Sequence, residues 1–136
     1  KRCLFTGDAH ADLLVNSIKR LIAANDPRIE NGRLQIDLLK VSHHGSRNNI
    51  STELIKLLDC PKYCFSTNGQ QFKHPDEAAV ARVIAYGTAS SKNIPQLFFN
   101  YKSRYNEIWG DRALKNAHDY ETEYPKKGTE GIVISL

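Results

Sequence analysis

Long apolar runs are missing from this chain. No stretch of its 136 residues approaches the roughly 20 consecutive apolar residues that a membrane-spanning helix needs, and mean hydropathy is negative at −0.49, so the sequence reads as a soluble, globular domain. Cysteines are few: Cys3, Cys60 and Cys64. An odd number argues against a closed disulfide framework and for a reducing, cytoplasmic compartment. The Cys60–Cys64 spacing is wrong for a zinc-ribbon knuckle, so all three are expected to be buried thiols packed as small hydrophobes. There is no Gly-x-x-x-x-Gly-Lys phosphate loop and no Gly-x-Ser-x-Gly elbow. Without the elbow, Ser46 is a poor candidate nucleophile in spite of the neighbouring histidines. No basic stripe marks a dedicated nucleic-acid surface: 19 Lys and Arg against 15 Asp and Glu leave a net charge of +4, but the positive residues are scattered, with only short pairs such as Lys126-Lys127. That balance permits an anionic substrate, a phosphate ester or nucleic acid, and equally describes a solvated basic surface. No repeat, low-complexity stretch or linker divides the chain, which is long enough for one domain over residues 1–136. No secretory leader is visible, and because residue 1 already lies in strand-like sequence that absence excludes nothing.

What is present is an alternation of strand-like and helix-like segments, the pattern of an α/β fold. Strands are expected over residues 2–6, 34–41, 62–66, 96–101 and 132–136, all in one sheet. Leu14, Ile18, Leu21 and Ile22 recur at helical spacing and predict a helix from Ala9 to Asn25, stopped by Asp26-Pro27. A short helix is expected over Thr52–Leu58. Another begins at Pro75, with Asp76 and Glu77 near its positive end, Val80, Val83 and Ile84 on its buried face and Gly87 at its end. Residues 103–127 are polar and aromatic, with a helix expected around Ile108–Ala117.

The chemically useful side chains fall just past strands, where sites form in layered α/β folds. His43-His44-Gly45-Ser46 follows the apolar run Ile36–Val41. Imidazole is the commonest metal ligand near neutral pH. Adjacent residues of a strand point to opposite faces, so the turn must break that alternation for both rings to face one site. One ring would then bind a metal while the other donates a hydrogen bond to a substrate oxyanion. Asp8 ends the run Arg2–Thr6 after Gly7. Its carboxylate is either a metal ligand or the N-cap of the following helix. His10 reads as an exposed first-turn residue. His74 is either a third imidazole at the cleft or a polar N-cap, and Lys73 faces a substrate phosphate or solvent.

Taken in order, Leu4-Phe5-Thr6-Gly7-Asp8, then Leu38-Leu39-Lys40-Val41-Ser42-His43-His44-Gly45-Ser46, then His74-Pro75 and a closing Gly131-Ile132-Val133-Ile134 resemble the second half of a metallo-β-lactamase-fold hydrolase. The subgroup is that of the hydrolase domain of the DNA-uptake competence channel and the phosphorylcholine esterases. The resemblance covers most of residues 2–86 and the last strand, and residues 88–128 have no counterpart in it. It implies the C-terminal half of a four-layered αββα sandwich, with residues 102–128 as an insertion. It places the metal-bridging aspartate on Asp8 and the final metal-binding histidine on His43 or His44. His44 is preferred as the ligand, His43 as the catalytic, phosphate-facing partner, and His74 lines the site. It also implies two divalent ions, zinc or manganese, and hydrolysis of a phosphodiester or other phosphate ester by metal-activated water. The His-x-His-x-Asp-His cluster of the first half, and one further histidine, are not among these residues. Three or four ligands would therefore come from the missing N-terminal half or from a partner chain, because Asp8 and one histidine alone do not close a zinc shell. The rival reading is a metal-free binding or regulatory module that keeps the fold without catalysis.

Overall fold

A computed structural model describes residues 1–87, 94–129 and 131–136. The chain runs β1 (Cys3–Phe5), α1 (Ala11–Ala23), β2 (Ile29–Glu30), β3 (Arg33–Gln35), β4 (Leu38–Lys40), a tight turn at Ser42–Gly45, α2 (Thr52–Lys56), β5 (Leu58–Asp59), β6 (Lys62–Phe65), α3 (Glu77–Tyr86), β7 (Gln96–Phe99), a single turn at Glu107–Gly110, α4 (Arg112–His118) and β8 (Glu121–Glu123). The main sheet has the order β1-β4-β6-β7-β8, and every neighbouring pair is parallel. A small second sheet, β2-β3-β5, sits beside it. The expected α/β fold is therefore present as a parallel central sheet flanked by helices. No described helix is long and apolar enough to cross a membrane.

Strand order in the main sheet increases steadily along the chain, so each crossover adds its strand on the same side of the last. Right-handed crossovers then send the connecting helices to one face. Burial follows that rule. Leu39, Tyr63 and Leu97, in register across the sheet, are at most 1% exposed and join Val15, Ile18, Leu54, Val80 and Val83 in the core. The opposite face carries Cys3 and Phe5, both exposed, and the half-buried Lys40, Lys62 and Cys64, with Leu38 and Phe98 buried among them.

Four expectations need correction. The strand expected over residues 34–41 is two strands in different sheets. Ile36 N–H donates to the Asp59 carbonyl, while Asp37 N–H donates to that of Arg2, so the chain changes neighbours between them. Burial alternates through Leu34, Ile36 and Leu38 and is then continued by Leu39 and Val41, so two successive residues are buried where the chain enters the main sheet and the alternation of a single strand is interrupted. Second, residues 132–136 form no strand; Val133 is 93% exposed, and Lys62 Nζ donates to the Ser135 carbonyl. The place beside β7 is filled instead by Glu121-Thr122-Glu123, whose charged residues suit an exposed edge. Third, the helix expected over 108–117 is broken by Asp111, whose side chain caps α4 by accepting from Leu114 N–H at 3.0 Å. Residues 88–93, the start of the segment without a family counterpart, lie outside the described residues. The later part packs onto the sheet: Tyr120 is buried and Tyr124 stacks on Phe99 with centroids 5.2 Å apart.

The fourth correction concerns the cysteines. Cys60 is buried, Cys64 half-buried and Cys3 exposed, because Cys3 lies on the face without helices. Burial pushes the Cys60 thiol up to about 12 and raises that of Cys64 as well. Ellman's reagent applied to the folded protein is thus expected to titrate Cys3 fast and leave Cys60 unreacted until denaturant is added. Two or more fast thiols, or none, would contradict this placement.

Candidate functional site

Because the strands of the main sheet are parallel, the loops after β1, β4 and β6 share one end of it. The loop after β1 carries Asp8 and the loop after β4 carries His43 and His44, so these residues lie at the same end. The two loops are bonded together: His43 N–H donates to the Gly7 carbonyl at 2.9 Å, and the buried Ser42 hydroxyl donates to Thr6 Oγ1 at 2.6 Å.

The Ser42–Gly45 turn is left-handed. His43 has φ 42° and ψ 50°, His44 has φ 59° and ψ 17°, and Gly45 follows at φ 89°. This departure from extended geometry breaks the strand alternation and lets two adjacent imidazoles share one side. Left-handed backbone at a residue with a Cβ costs about 1–2 kcal/mol, and such strain persists where the surroundings over-determine it. Here they do. His44 Nδ1 lies 2.5 Å from the Ser66 carbonyl, and His43 Nδ1 lies 3.2 Å from Asn49 Oδ1. Gly45 packs so tightly on Phe65 and Pro75 that no side chain fits there.

Rings gather around His43. Its centroid is 6.2 Å from that of His44, 5.7 Å from His74 and 6.2 Å from Phe72. His74 is not an N-cap: Asp76 holds that position on α3, and His74 Nδ1 lies 3.3 Å from Asp76 Oδ1. The other Asp76 oxygen accepts from Arg47 N–H at 2.8 Å, so this carboxylate braces the histidine turn rather than its own helix. Asp8 is not an N-cap either, since His10 occupies that position on α1 without a side-chain bond. The Asp8 carboxylate is exposed and makes no hydrogen bond among the described residues.

A cavity of about 160 Å³ opens beside the rings, lined by His44, Thr67, Asn68, Gln71, Phe72 and His74. A larger concavity, about 760 Å³, lies at the other end of the sheet among Lys1, Arg2, Arg33, Asp37 and Asp59. It is the less convincing site in spite of its size. Lys1 pairs with Asp37 at 3.5 Å, and the Arg2 backbone N–H donates to the same carboxylate. It also sits at the strand N-termini, opposite the end where sites form in such sheets.

A divalent metal would find suitable donors here in type: an exposed carboxylate, and two imidazoles whose Nδ1 atoms are held by oxygen, the outer support that metal-binding histidines use. The number falls short. No group of three or more His, Cys, Asp or Glu side chains among the described residues is arranged to hold a metal ion. Sequence reading missed two residues. Asn49 is 2% exposed and bonded to both loops, yet it stands in a polar stretch that reads as surface loop. Phe72 is 57% exposed against the imidazoles, and nothing in the spacing around it signals a site. Comparison with known proteins finds no match: no family model, no curated protein and no solved structure is significantly similar to this chain.

Proposed function

We propose that this chain is part of a metal-dependent hydrolase of phosphate esters, most directly phosphodiesters, and forms the C-terminal half of a metallo-β-lactamase-type sandwich. The observation that carries the reading is the pair of strained, consecutive histidines, each with Nδ1 held by an oxygen, bonded to the loop that carries an unengaged aspartate. Asp8 contributes a hard anionic oxygen able to bridge two cations. His43 and His44 contribute Nε2, with His44 as the preferred ligand. Held by these residues and the missing ligands, zinc or manganese would lower the pKa of a bound water and offset charge on the substrate phosphate. His74, held by Asp76, lines the substrate side of the cluster. The remaining ligands come from outside these residues, from more of the same protein or from a partner chain. A net charge of +4 favours approach of an anionic ester.

The shortage of converging donors favours a second reading, a metal-free binding or regulatory module that keeps the imidazole cluster for an anion. Manganese separates the two, because its paramagnetism broadens nearby resonances even when binding is weak. Titrating Mn²⁺ into residues 1–136 is expected to broaden the His43 and His44 ring signals first, and Asp8→Ala is expected to weaken the effect several-fold. Ring signals left sharp at millimolar Mn²⁺, or an unchanged response in Asp8→Ala, would overturn the metal-site reading and leave the binding module.

A further inference from the structure

Asn49 follows the histidine turn and lies under it, 2% exposed. Its amide touches three groups. Nδ2 lies 3.2 Å from the Asp8 carbonyl and 3.1 Å from that of Ala9, while Oδ1 lies 3.2 Å from His43 Nδ1. Which end of an amide is oxygen follows from its partners. Two carbonyl oxygens only accept, so the end facing them is the NH2 group. Oδ1 therefore faces His43, and it only accepts, so His43 Nδ1 carries the hydrogen. A neutral imidazole has one N–H, and its lone pair is then on Nε2.

We propose that Asn49 is a positioning residue: its amide ties the Asp8 loop to His43 and fixes neutral His43 as the Nδ1–H tautomer, leaving the lone pair on Nε2. The same logic holds at His44 through a different partner, since the Ser66 carbonyl also only accepts, and His44 Nδ1 carries its hydrogen. Both rings thus offer Nε2 as an electron-pair donor. The geometry gives neutral His43 no N–H at Nε2 to offer a substrate oxygen, so its part in the site is that of a ligand or a base. That last consequence rests on the hydrolase reading; the tautomer and the tie between loops do not. A neutral imidazole free in water prefers the Nε2–H form, so the Nδ1–H form at His43 is a property its surroundings must impose.

The test reads the tautomers directly, by long-range ¹H–¹⁵N correlation of the histidine rings in metal-free protein at a pH where they are neutral. In the wild type, His43 and His44 are expected as Nδ1–H. In Asn49→Leu, which keeps the bulk and removes the amide, His43 is expected to revert to mainly Nε2–H, while His44, held by Ser66, stays Nδ1–H and serves as the internal control. A structural role alone would move both rings or neither. Asn49→Asp keeps an acceptor towards His43 but sets an oxygen against the Asp8 and Ala9 carbonyls. There His43 stays Nδ1–H, and the His43 backbone amide, bonded to Gly7, exchanges with solvent at least several-fold faster. Should Asn49→Leu fail to fold, the wild-type tautomer and Asn49→Asp decide alone. A wild-type His43 in the Nε2–H form, an unchanged tautomer in folded Asn49→Leu, or an unaltered exchange rate in Asn49→Asp overturns the proposal. None of these readouts depends on metal or turnover, so the hydrolase reading can fail while the role of Asn49 stands, and the converse.

Discussion

On the proposed hydrolase reading, Asp8→Ala is expected to lower hydrolysis of bis-p-nitrophenyl phosphate by at least about 100-fold once the chain is joined by the residues that would supply the remaining ligands. Outer groups that merely support a metal ligand already cost about 10–100-fold when removed, and in the proposed site Asp8 would be a direct ligand, whose loss costs more. Its fold should survive, because the carboxylate is exposed and engaged by nothing described around it, while the backbone carbonyl that Asn49 holds remains in the variant. Circular dichroism of the variant should therefore match the wild type while activity and metal content fall. Metal analysis of His44→Ala and His43→Ala alongside it tests the division between the two rings, with His44→Ala expected to lose more. Equal metal in all three variants and unchanged hydrolysis would return the histidines to a structural role.

Gly45→Ala is expected to destabilise the folded protein by roughly 2–5 kcal/mol, from a left-handed backbone worth about 1–2 kcal/mol and overpacking worth about 1–3 kcal/mol. At φ 89° a Cβ would stand 2.7 Å from Pro75 Cβ and 2.9 Å from Phe65 Cδ1. Phe65 is fully buried and stacks on Phe99, itself buried, at 5.0 Å, so neither ring has room to retreat. Against a typical total of about 5–15 kcal/mol this is a large loss, equivalent to a melting temperature lower by roughly 10 °C or more. Gly7→Ala is the control. It too has positive φ, 53°, but a Cβ there meets nothing within 4 Å, so only the backbone penalty of about 1 kcal/mol applies. Thermal denaturation of the two variants side by side measures the difference. Equal shifts would mean that the histidine turn is not anchored to the core as described.

The pair explains why part of this site could be read in advance. Gly-Asp after one apolar run and His-His-Gly after another announce two turns at strand ends, because a glycine at positive φ and a polar residue beyond it are local requirements of chain geometry. The long, helix-containing connection between β1 and β4 allows them to run parallel, and their pairing in the sheet then brings Asp8 and His43 to one end. What lay beyond the sequence was non-local. Asn49 looks like any loop asparagine until the carbonyls of Asp8 and Ala9 are found against its amide, and no local pattern announces that Phe72 stands exposed beside His43 and His74.

The strands divide in the same way. β1, β6 and β7 were legible because each is a short apolar run bounded by turn residues and helices, and the helix after β1 showed its 3.6-residue period in Leu14, Ile18, Leu21 and Ile22. The break at Ile36-Asp37 was decided by which carbonyls were in reach, Asp59 on one side and Arg2 on the other. At the far edge, apolar Ile132–Ile134 lost its place to Glu-Thr-Glu, because an edge strand is held by backbone bonds to its neighbour and leaves its side chains in water, where charge costs nothing. By itself, then, the sequence determined the α/β alternation, the sharp turns at Gly7 and Gly45 and the residue types set just beyond them, since these depend on propensity and periodicity along the chain. Only the tertiary structure decided which strands became neighbours, that His43 and His44 both turn left-handed, and which oxygen holds each imidazole. Those outcomes rest on packing against Phe65 and Pro75, on the bond of His44 to Ser66, 22 residues away, and on the bonds by which Asn49, itself close to His43 in sequence, is held by Asp8 and Ala9 about 40 residues earlier, which no local pattern encodes.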